Sequence, residues 1–420
     1  MDPLSAAELD ARDPLAGFAA DFHKPAGQIY LDGNSLGLLC RPAEQALTEA
    51  VEAWRTRAIL GWTAGADPWF ELSRKAAGLL APILSADPAD VMVGQSTTVN
   101  LHQLLATFYD PDGGRTRILI DEWAFPTDRY AVESHLRLRG RDPRRDLVVV
   151  PDRDGFLSGT DILSAADDGV GLAVLPSVVY RSGQLLDMAR LTWEARKREV
   201  VILWDCSHSA GVVPHDFRSD EIDLAFGCTY KYLNGGPGSV GWAYVQQYFR
   251  EAEPGLAGWF GCDPARQFEM APEFHPAADA GRFQIGTPHV LSLAPIIGSL
   301  GLVNRAGVAA LRTKSLALTR YLREQVEARL GRFGVRVVTP SEDARRGGHL
   351  TLAHPAAGKL SLALRARGVI PDFRPPDLLR LCPAPLYTSF AECARAVEIL
   401  EEILATDAHL ELTDRDALVS

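Results

Sequence analysis

Short apolar runs rich in β-branched residues alternate with amphipathic stretches through the middle of this chain, and this alternation constrains the fold most. Runs such as LVVV and VVILWD are continuously apolar, which is typical of strands buried on both faces of a sheet. The strand candidates are Asp90–Gly94, Arg117–Asp121, Leu147–Pro151, Leu172–Leu175, Val200–Asp205, Asp223–Gly227 and Val240–Val245. Helix candidates between them are Thr98–Phe108, Thr127–Leu138 and Met188–Arg198. The alternation predicts an α/β fold with a mostly parallel sheet covered by helices.

The same pattern divides the chain into three parts. A large domain that contains the parallel sheet is predicted for residues 65–295. A long amphipathic helix, Leu311–Leu330, then precedes shorter strands and helices, which fits a smaller α+β domain over residues 296–420. Residues 1–64 contain a short strand, a turn and a helix at Pro42–Thr56. We expect this segment to pack with the small domain.

Charge and cysteine content narrow the classes of function. The net charge is −11, from 43 basic and 54 acidic residues, which disfavours a general nucleic-acid or acidic-membrane surface. The sequence shows neither an apolar run of membrane-spanning length nor a secretion-signal pattern. The 6 cysteines form no C-x-x-C pair, so we expect reduced thiols and a cytoplasmic protein. The 10 histidines show no metal-ligand spacing, and we expect no metal.

An acid ends one of the predicted buried strands. In LWDCSH, Asp205 follows an apolar run, and His208 lies three residues further on. Ligands of open α/β sheets bind beyond the carboxyl ends of the strands, where this carboxylate could hold a protonated ring nitrogen. An aspartate at a strand end also serves as a turn or helix cap, and this reading stays open.

A lysine lies between a predicted strand and a glycine-rich turn. In CTYKYLNGGPG, Lys231 is flanked by Tyr230, Tyr232 and Leu233, so its amine is unlike a freely solvated surface charge. A partly desolvated amine is a better nucleophile, as a lysine that forms an imine must be. A lysine that extends from a loop into water would show the same local sequence.

Hydroxyl side chains mark the start of another predicted helix. In VGQSTTVN, a strand ends at Gly94, and Thr97 and Thr98 follow at the helix start. Free backbone N–H groups and these hydroxyls could bind a phosphate. Ordinary N-capping explains the same residues without a ligand.

The order of the three features points to one cofactor. A phosphate site comes first, then an acid after a middle strand, and then a lysine. Pyridoxal phosphate (PLP) needs these groups for its phosphate, its ring nitrogen and its aldehyde. The sequence therefore predicts a PLP enzyme.

At this point the chain resembles the kynureninases, a family in the aspartate-aminotransferase-like class of PLP enzymes. The matching stretches occur in the family's order between about residues 29 and 405. They are YLDGNSLGL, TVNLHQLL, FPTD, WDCSH, TYKYLNGGPG, GWFG and APLYTSF. The related desulfurases share the lysine and the aspartate, but they lack GWFG and FPTD in these contexts.

The resemblance implies a role for each matching residue. Thr97 and Thr98 contact the cofactor phosphate, Phe125 stacks on its ring, and Asp128 lies near the ring. Asp205 pairs with the ring nitrogen, His208 and Tyr230 complete the cofactor shell, and Lys231 forms the Schiff base. The residues implied as catalytic are Lys231, Tyr230 and Asp205.

Further residues are implied on the substrate side and across a dimer. Arg380 binds the substrate carboxylate, a role that suits a guanidinium fork. Trp62, Asn34 and Ser35 are the other expected substrate contacts. Trp259 and Thr287 match positions that reach the site of the neighbouring subunit, which implies a homodimer.

Three positions depart from the family pattern. Pro176 stands where a Ser or Thr is expected near the cofactor, although Ser177 is adjacent. Thr287 and Trp62 stand where animal enzymes tend to have Asn and His. Pro176 weakens one cofactor contact, whereas Thr287 and Trp62 affect which substrate ring is preferred.

The expected reaction is hydrolysis of L-kynurenine to anthranilate and L-alanine, in tryptophan catabolism or NAD biosynthesis, with 3-hydroxykynurenine as a second substrate. The alternative is another PLP-dependent lyase, such as a cysteine desulfurase or selenocysteine lyase, which needs a reactive cysteine on a mobile loop. A non-enzymatic scaffold is the third possibility, but a scaffold would need none of the residues Lys231, Asp205 and Arg380.

Overall fold

The computed structural model describes residues 4–412 and contains three sheets. The strands are β1 (Ile29–Tyr30), β2 (Val91–Val93), β3 (Arg117–Asp121), β4 (Leu147–Val150), β5 (Val170–Pro176), β6 (Val201–Asp205), β7 (Leu224–Cys228), β8 (Gly241–Val245), β9 (Arg336–Val337), β10 (Leu350–Ala353), β11 (Val369–Ile370), β12 (Asp372–Arg374) and β13 (Leu378–Leu381). The helices are α1 (Ala6–Ala11), α2 (Arg41–Arg57), α3 (Leu72–Leu84), α4 (Thr97–Phe108), α5 (Pro126–Leu138), α6 (Pro143–Asp146), α7 (Gly159–Ala165), α8 (Met188–Arg196), α9 (Val290–Ala306), α10 (Val308–Leu330), α11 (Ala357–Ala366) and α12 (Phe390–Ala405).

The large sheet has the strand order β2-β8-β7-β6-β5-β3-β4. The five strands from β7 to β4 run parallel, and β8 lies antiparallel between β2 and β7. Its central strands are buried on both faces, because their apolar side chains pack under helices on either side. The predicted α/β fold with a mostly parallel sheet is confirmed. Its carboxyl edge brings Asp121, Pro176 and Asp205 onto neighbouring strand ends.

The small sheet is antiparallel, in the order β12-β13-β10-β9, and shares a core with α10, α11 and α12. The N-terminal segment packs in part with this domain, since β1 pairs with β11 in a separate two-stranded parallel sheet and α1 packs on α12. Helix α2 instead packs against α9. Segment 1–64 is therefore shared between the two cores, and the domain limits stay a prediction.

The predicted boundary between residues 295 and 296 falls inside the continuous helix α9. The chain changes direction after it, at Gly307, whose φ of +77° is easily adopted by glycine. Within residues 4–412, no single helix is long and apolar enough to cross a membrane. Only Val290–Ala306 and Val308–Phe333, bent by 78° to each other, meet the length and composition criteria as a pair.

Candidate active site

A cleft opens at the carboxyl edge of the large sheet and collects most of the predicted site. It is lined by Thr97, Thr98, Asp121, Trp123, Phe125, Thr127, Asp128, Pro176, Val178, Val179, Tyr180, Asp205, Ser207, His208, Tyr230 and Lys231. Every predicted cofactor residue except Trp259 and Thr287 is in this set. Residues that are far apart in sequence meet here because parallel strands end at one edge.

The Lys231 side chain is part of the cleft lining. Its Nζ is 2.9 Å from His208 Nε2 and 5.8 Å from the centroid of the Phe125 ring. Burial, and then the positive charge of Lys231, hold the pKa of His208 well below its usual range. His208 is therefore neutral and accepts a hydrogen bond from the amine. Its other nitrogen, Nδ1, is buried and has no hydrogen-bond partner among the residues described.

Three carboxyl groups face the other side of the cleft. Asp205 ends β6, and its Oδ1 accepts a 2.8 Å hydrogen bond from the Ser207 backbone N–H. Burial, and then the charge of Asp205, raise the pKa of Asp128 well above its usual range. Burial raises the pKa of Asp121 to about 7. A cationic ring nitrogen would suit this side, because it would compensate negative charge that burial disfavours.

Helix α4 begins at the cleft with Thr97 and Thr98. The side chain of the preceding Ser96 caps the helix and accepts from Val99 N at 3.2 Å. Strand β8 passes close behind, since a Cβ on Gly241 would lie 2.8 Å from Thr97 N. Ser96 therefore has the ordinary N-capping role that the sequence left open, whereas Thr97 and Thr98 line the cleft.

Arg380 on β13 is fully buried behind the cleft. Its Nε donates to Asp372, Nη1 donates to the Tyr180 carbonyl at 2.8 Å, and Nη2 donates to Ser35 Oγ at 3.2 Å. The Tyr180 ring, which is part of the cleft lining, has its centroid 6.0 Å from the guanidinium carbon. Asn34 is also fully buried, and its side-chain amide has no partner among residues 4–412.

Three other predicted residues lie away from both the cleft lining and the surroundings of Arg380. Trp62 packs against Trp69 and Phe70, with ring centroids 5.5 and 4.9 Å away. Trp259 is 44% exposed and donates to the Gln267 carbonyl, and Thr287 is exposed. This chain alone does not bring them to Lys231.

Pro176, which departs from the family pattern, lies at the end of strand β5. Pro176 lines the cleft opposite Asp205 on the neighbouring strand, whereas Ser177 is fully buried behind it. Ser177 donates to the backbone carbonyl of Asp205 from both its N–H, at 2.8 Å, and its Oγ, at 3.0 Å. Ser177 therefore supports the strand end instead of lining the cleft.

Sequence reasoning missed several cleft residues. Asp121 ends strand β3 just as Asp205 ends β6, so the strand-end argument could have found it. Trp123 and Tyr180 lie in the loops after β3 and β5. Loops at this edge are expected to carry site residues, but single-sequence patterns do not select which ones.

None of the cysteines is among the residues that line the cleft. All 6 are free, and only Cys262 is not buried. Burial raises the pKa of Cys206 and of Cys382 to about 12 and that of Cys393 further, so these thiols keep their protons. No group of three or more His, Cys, Asp or Glu residues in the described part of the chain could hold a metal ion.

Two solved structures share the fold. The cystine C–S lyase C-DES, in complex with its reaction product cysteine persulfide, aligns with a TM-score of 0.77 at 18% identity, over 90% of this chain and 98% of that one. A variant of C-DES with glycine linked covalently to its PLP cofactor aligns with the same TM-score and identity, over 90% and 97%. The chain therefore has the fold of the aminotransferase-like class of PLP-dependent enzymes.

Within this class, sequence similarity identifies the family. The family model of the kynureninase C-terminal domain matches residues 311–400. The kynureninase of Geobacillus thermodenitrificans (strain NG80-2) is 47% identical over 99% of this chain and 97% of that protein. The chain belongs to the kynureninase family.

Proposed function

We propose that this protein hydrolyses L-kynurenine to anthranilate and L-alanine, and that it also converts 3-hydroxykynurenine to 3-hydroxyanthranilate. The observation that carries the proposal is the 47% identity to a kynureninase along nearly the whole chain. In the reaction the Cβ–Cγ bond of the substrate breaks. The hydroxyl of water joins the Cγ acyl carbon, and a proton goes to Cβ.

The cleft residues fit PLP as the cofactor. The acid side suits the ring nitrogen, with Asp205 as its partner and Asp128 beside the ring. Phe125 is 38% exposed, with its ring centroid 5.8 Å from Lys231 Nζ, and would stack on the cofactor ring. Thr97 and Thr98 and the N–H groups of α4 would hold the phosphate. When bound, the cofactor withdraws electrons from Cα of the amino acid.

Lys231 and Tyr230 handle protons in this proposal. The Lys231 amine binds the cofactor covalently and, once the substrate has displaced it, removes the proton from Cα. His208 Nε2 accepts one amine N–H and so fixes the direction of Nζ. The neighbouring Cys228, and then burial, raise the pKa of Tyr230. Its phenol therefore keeps its proton at neutral pH and can deliver it to a substrate atom.

Arg380 would bind the substrate carboxylate, and its surroundings prepare it for this role. Asp372, the Tyr180 carbonyl and Ser35 each take one guanidinium hydrogen bond, so the fork has a fixed orientation. Its two remaining N–H groups would donate to the substrate carboxylate. Asn34, buried next to Ser35, is the other polar residue proposed to contact the substrate near Arg380.

A cysteine desulfurase or selenocysteine lyase is the alternative, and the thiols do not favour it. Such an enzyme needs a reactive thiolate, whereas Cys382 and Cys393 are fully buried with raised pKa values. Cys382 contacts the Tyr232 hydroxyl at 3.3 Å, inside the small domain's contact with the lysine loop.

Unmodified kynurenine should be preferred over 3-hydroxykynurenine. The indole of Trp62 can only donate a hydrogen bond, and Thr287 offers fewer polar contacts than Asn. A site that forms no hydrogen bond with the ring hydroxyl does not favour the hydroxylated substrate strongly. Both residues lie outside the cleft of their own chain, so this preference depends on a partner subunit.

In a homodimer with shared active sites, Trp62 and Thr287 would reach the cleft of the partner subunit. Trp54 and Leu291, 60% and 42% exposed, line a groove with Pro288, the residue after Thr287. Ile59 and Leu60, just before Trp62, are 75% and 61% exposed. Large exposed apolar side chains near one another mark an interface, and a second copy of this chain is its occupant in this proposal.

The setting is proposed as the cytoplasm, in tryptophan catabolism or NAD biosynthesis. The unpaired cysteines support a reducing compartment. The amino-acid substrate is the one partner that the reaction requires, and nucleic acid and membrane have no part in it.

Product analysis tests the function. Kynurenine and 3-hydroxykynurenine are offered in competition to the PLP-loaded enzyme, and anthranilate, 3-hydroxyanthranilate and alanine are quantified. Equimolar aromatic acid and alanine are expected, with anthranilate in excess. Release of sulfide or selenide from the cysteine analogues without kynurenine cleavage would support the alternative, and the absence of a visible cofactor band would support a scaffold.

A further inference from the structure

A line of buried hydrogen bonds runs from the end of strand β6 to a histidine outside the cleft. Ser177 Oγ donates to the Asp205 carbonyl at 3.0 Å. Ser177 Oγ and Ser209 Oγ are 2.7 Å apart, and Ser209 Oγ is 2.9 Å from His215 Nε2. Both serines are fully buried and His215 is 9% exposed.

One order of donors serves all three contacts, with the His215 proton on Nε2. Ser177 donates to the Asp205 carbonyl, its oxygen accepts from Ser209, and Ser209 accepts from His215 Nε2–H. The Cys206 carbonyl, 3.3 Å from Ser209 Oγ, is a second acceptor for the Ser209 hydroxyl. Burial lowers the pKa of His215 to about 4, so the ring stays neutral at physiological pH. The Cys206 thiol lies beside both serines, and burial raises its pKa to about 12. The His215 ring and the Cys206 thiol therefore keep their protonation states across the physiological pH range.

The line ends at the backbone carbonyl of Asp205, the residue whose carboxylate lines the cleft. Ser177 supplies two donors to that carbonyl, while Pro176 before it has no N–H to give. The carboxylate Oδ1 is held from the other side by the Ser207 N–H at 2.8 Å. A shift of the strand end would move Asp205 relative to the cleft.

We propose that Ser177, Ser209 and His215 are positioning residues for Asp205, and that their hydrogen bonds hold its carboxylate where the cofactor's ring nitrogen binds. The inference rests on the proposed function, in which Asp205 is the partner of that nitrogen. None of the three side chains needs to touch substrate or cofactor.

A pair of substitutions at His215 separates the hydrogen bond from packing. His215→Phe keeps a ring in this space but removes the donor, whereas His215→Gln keeps an N–H donor at the position of Nε2. In the PLP-loaded enzyme we expect His215→Phe to lower kcat about tenfold with KM unchanged, since a buried hydroxyl loses its partner. Cofactor affinity should fall, and the visible cofactor band should shift. His215→Gln should restore most of kcat and the band.

Ser209→Ala tests the same connection by removing a single oxygen from the middle of the line, and it should behave as His215→Phe does. The matched controls are Ser299→Ala, a fully buried serine of α9, and the Phe and Gln variants of the buried His409 in the small domain. These should change thermal stability only. A wild-type kcat and cofactor band in both His215→Phe and Ser209→Ala would overturn the inference, and so would an equal loss in His215→Phe and His215→Gln. If the wild-type enzyme fails to cleave kynurenine, the proposed function fails, while cofactor affinity and spectrum still decide the positioning role.

Discussion

The amine of Lys231, held by His208 at 2.9 Å, is the group on which the proposed chemistry depends most. Lys231→Ala should abolish kynurenine cleavage and the absorbance of lysine-bound cofactor. The fold should persist, because Lys231 lines a cleft and is not part of either core. Turnover and the visible spectrum check this, with Lys197→Ala, at an exposed site, as the control. Substantial turnover by Lys231→Ala would remove the lysine from its role.

Arg380 should control substrate affinity. Arg380→Ala removes a charge-assisted fork, which costs on the order of 2–5 kcal/mol when it is buried, so KM for kynurenine should rise sharply. It also leaves Asp372 buried with Arg374 as a remaining partner, so stability should fall as well. Ser35→Ala separates the two effects, since it removes one contact that orients Nη2 and should raise KM modestly at nearly constant thermal stability. An unchanged KM in both variants would mean that another residue binds the carboxylate.

Asp121 should make stability depend on pH. Burial raises its pKa from 3.8 to about 7, so between these values the folded protein holds a proton that the unfolded chain has released. The free energy of unfolding should therefore fall as pH rises from about 4 to 7, by about 4 kcal/mol from this group. In the cofactor-free protein, Asp121→Asn should flatten this part of the profile, while Asp168→Asn, at an exposed site, should not. Parallel profiles for wild type and Asp121→Asn would contradict the assignment.

Single residues also show what the sequence could and could not predict. Lys231, Asp205 and His208 were selected by their neighbours in sequence, and the structure places them in one cleft. The orientation of Arg380 was not predictable, because it depends on Tyr180, 200 positions away. Contacts of that range are set by how two domains meet, and a local pattern does not contain them.

At the scale of elements, the contact between β8 and the start of α4 should set cofactor affinity. A Cβ on Gly241 would lie 2.8 Å from Thr97 N and 2.9 Å from Thr97 Cα, so Gly241→Ala must displace the helix start. We expect a loss of about 1–3 kcal/mol in stability together with weaker PLP binding. The control is Gly78→Ala in α3, where nothing lies within 4 Å and about 0.5–1 kcal/mol of stabilisation is expected. Thermal midpoints and PLP titrations measure both effects, and unchanged PLP affinity in Gly241→Ala would separate this contact from the phosphate site.

The elements that the sequence predicted best are the buried strands. The run predicted at Arg117–Asp121 coincides with β3, because continuous β-branched residues between turn signals leave few alternatives. Helices α3 and α9 were missed. Each contains a proline, and α9 is apolar on most of its surface, so it lacks the periodicity that marks an amphipathic helix.

For the whole molecule, the cleft lies where the two cores meet. The N-terminal loop joins them, since Gly37 N donates to the Tyr230 carbonyl at 2.7 Å and Leu31 packs in the small-domain core. The lysine loop is thereby fixed from the small-domain side. Trp259 and Thr287 remain outside this arrangement, although the resemblance assigns them to a site.

Mixing inactive variants decides whether sites are shared between subunits. Lys231→Ala lacks a residue of its own cleft, and Trp259→Ala lacks one proposed to reach the partner's cleft, so a mixed dimer would contain one intact site. Random exchange puts one of each subunit in half of the dimers, and the mixture should recover about a quarter of wild-type activity. Lys231→Ala mixed with Asp205→Asn is the matched control, because both residues line the same cleft and no mixed dimer would hold an intact site. After exchange under mild denaturant, kynurenine turnover reports the result. Recovery in the control, or none in the test mixture, would show that each chain completes its own site.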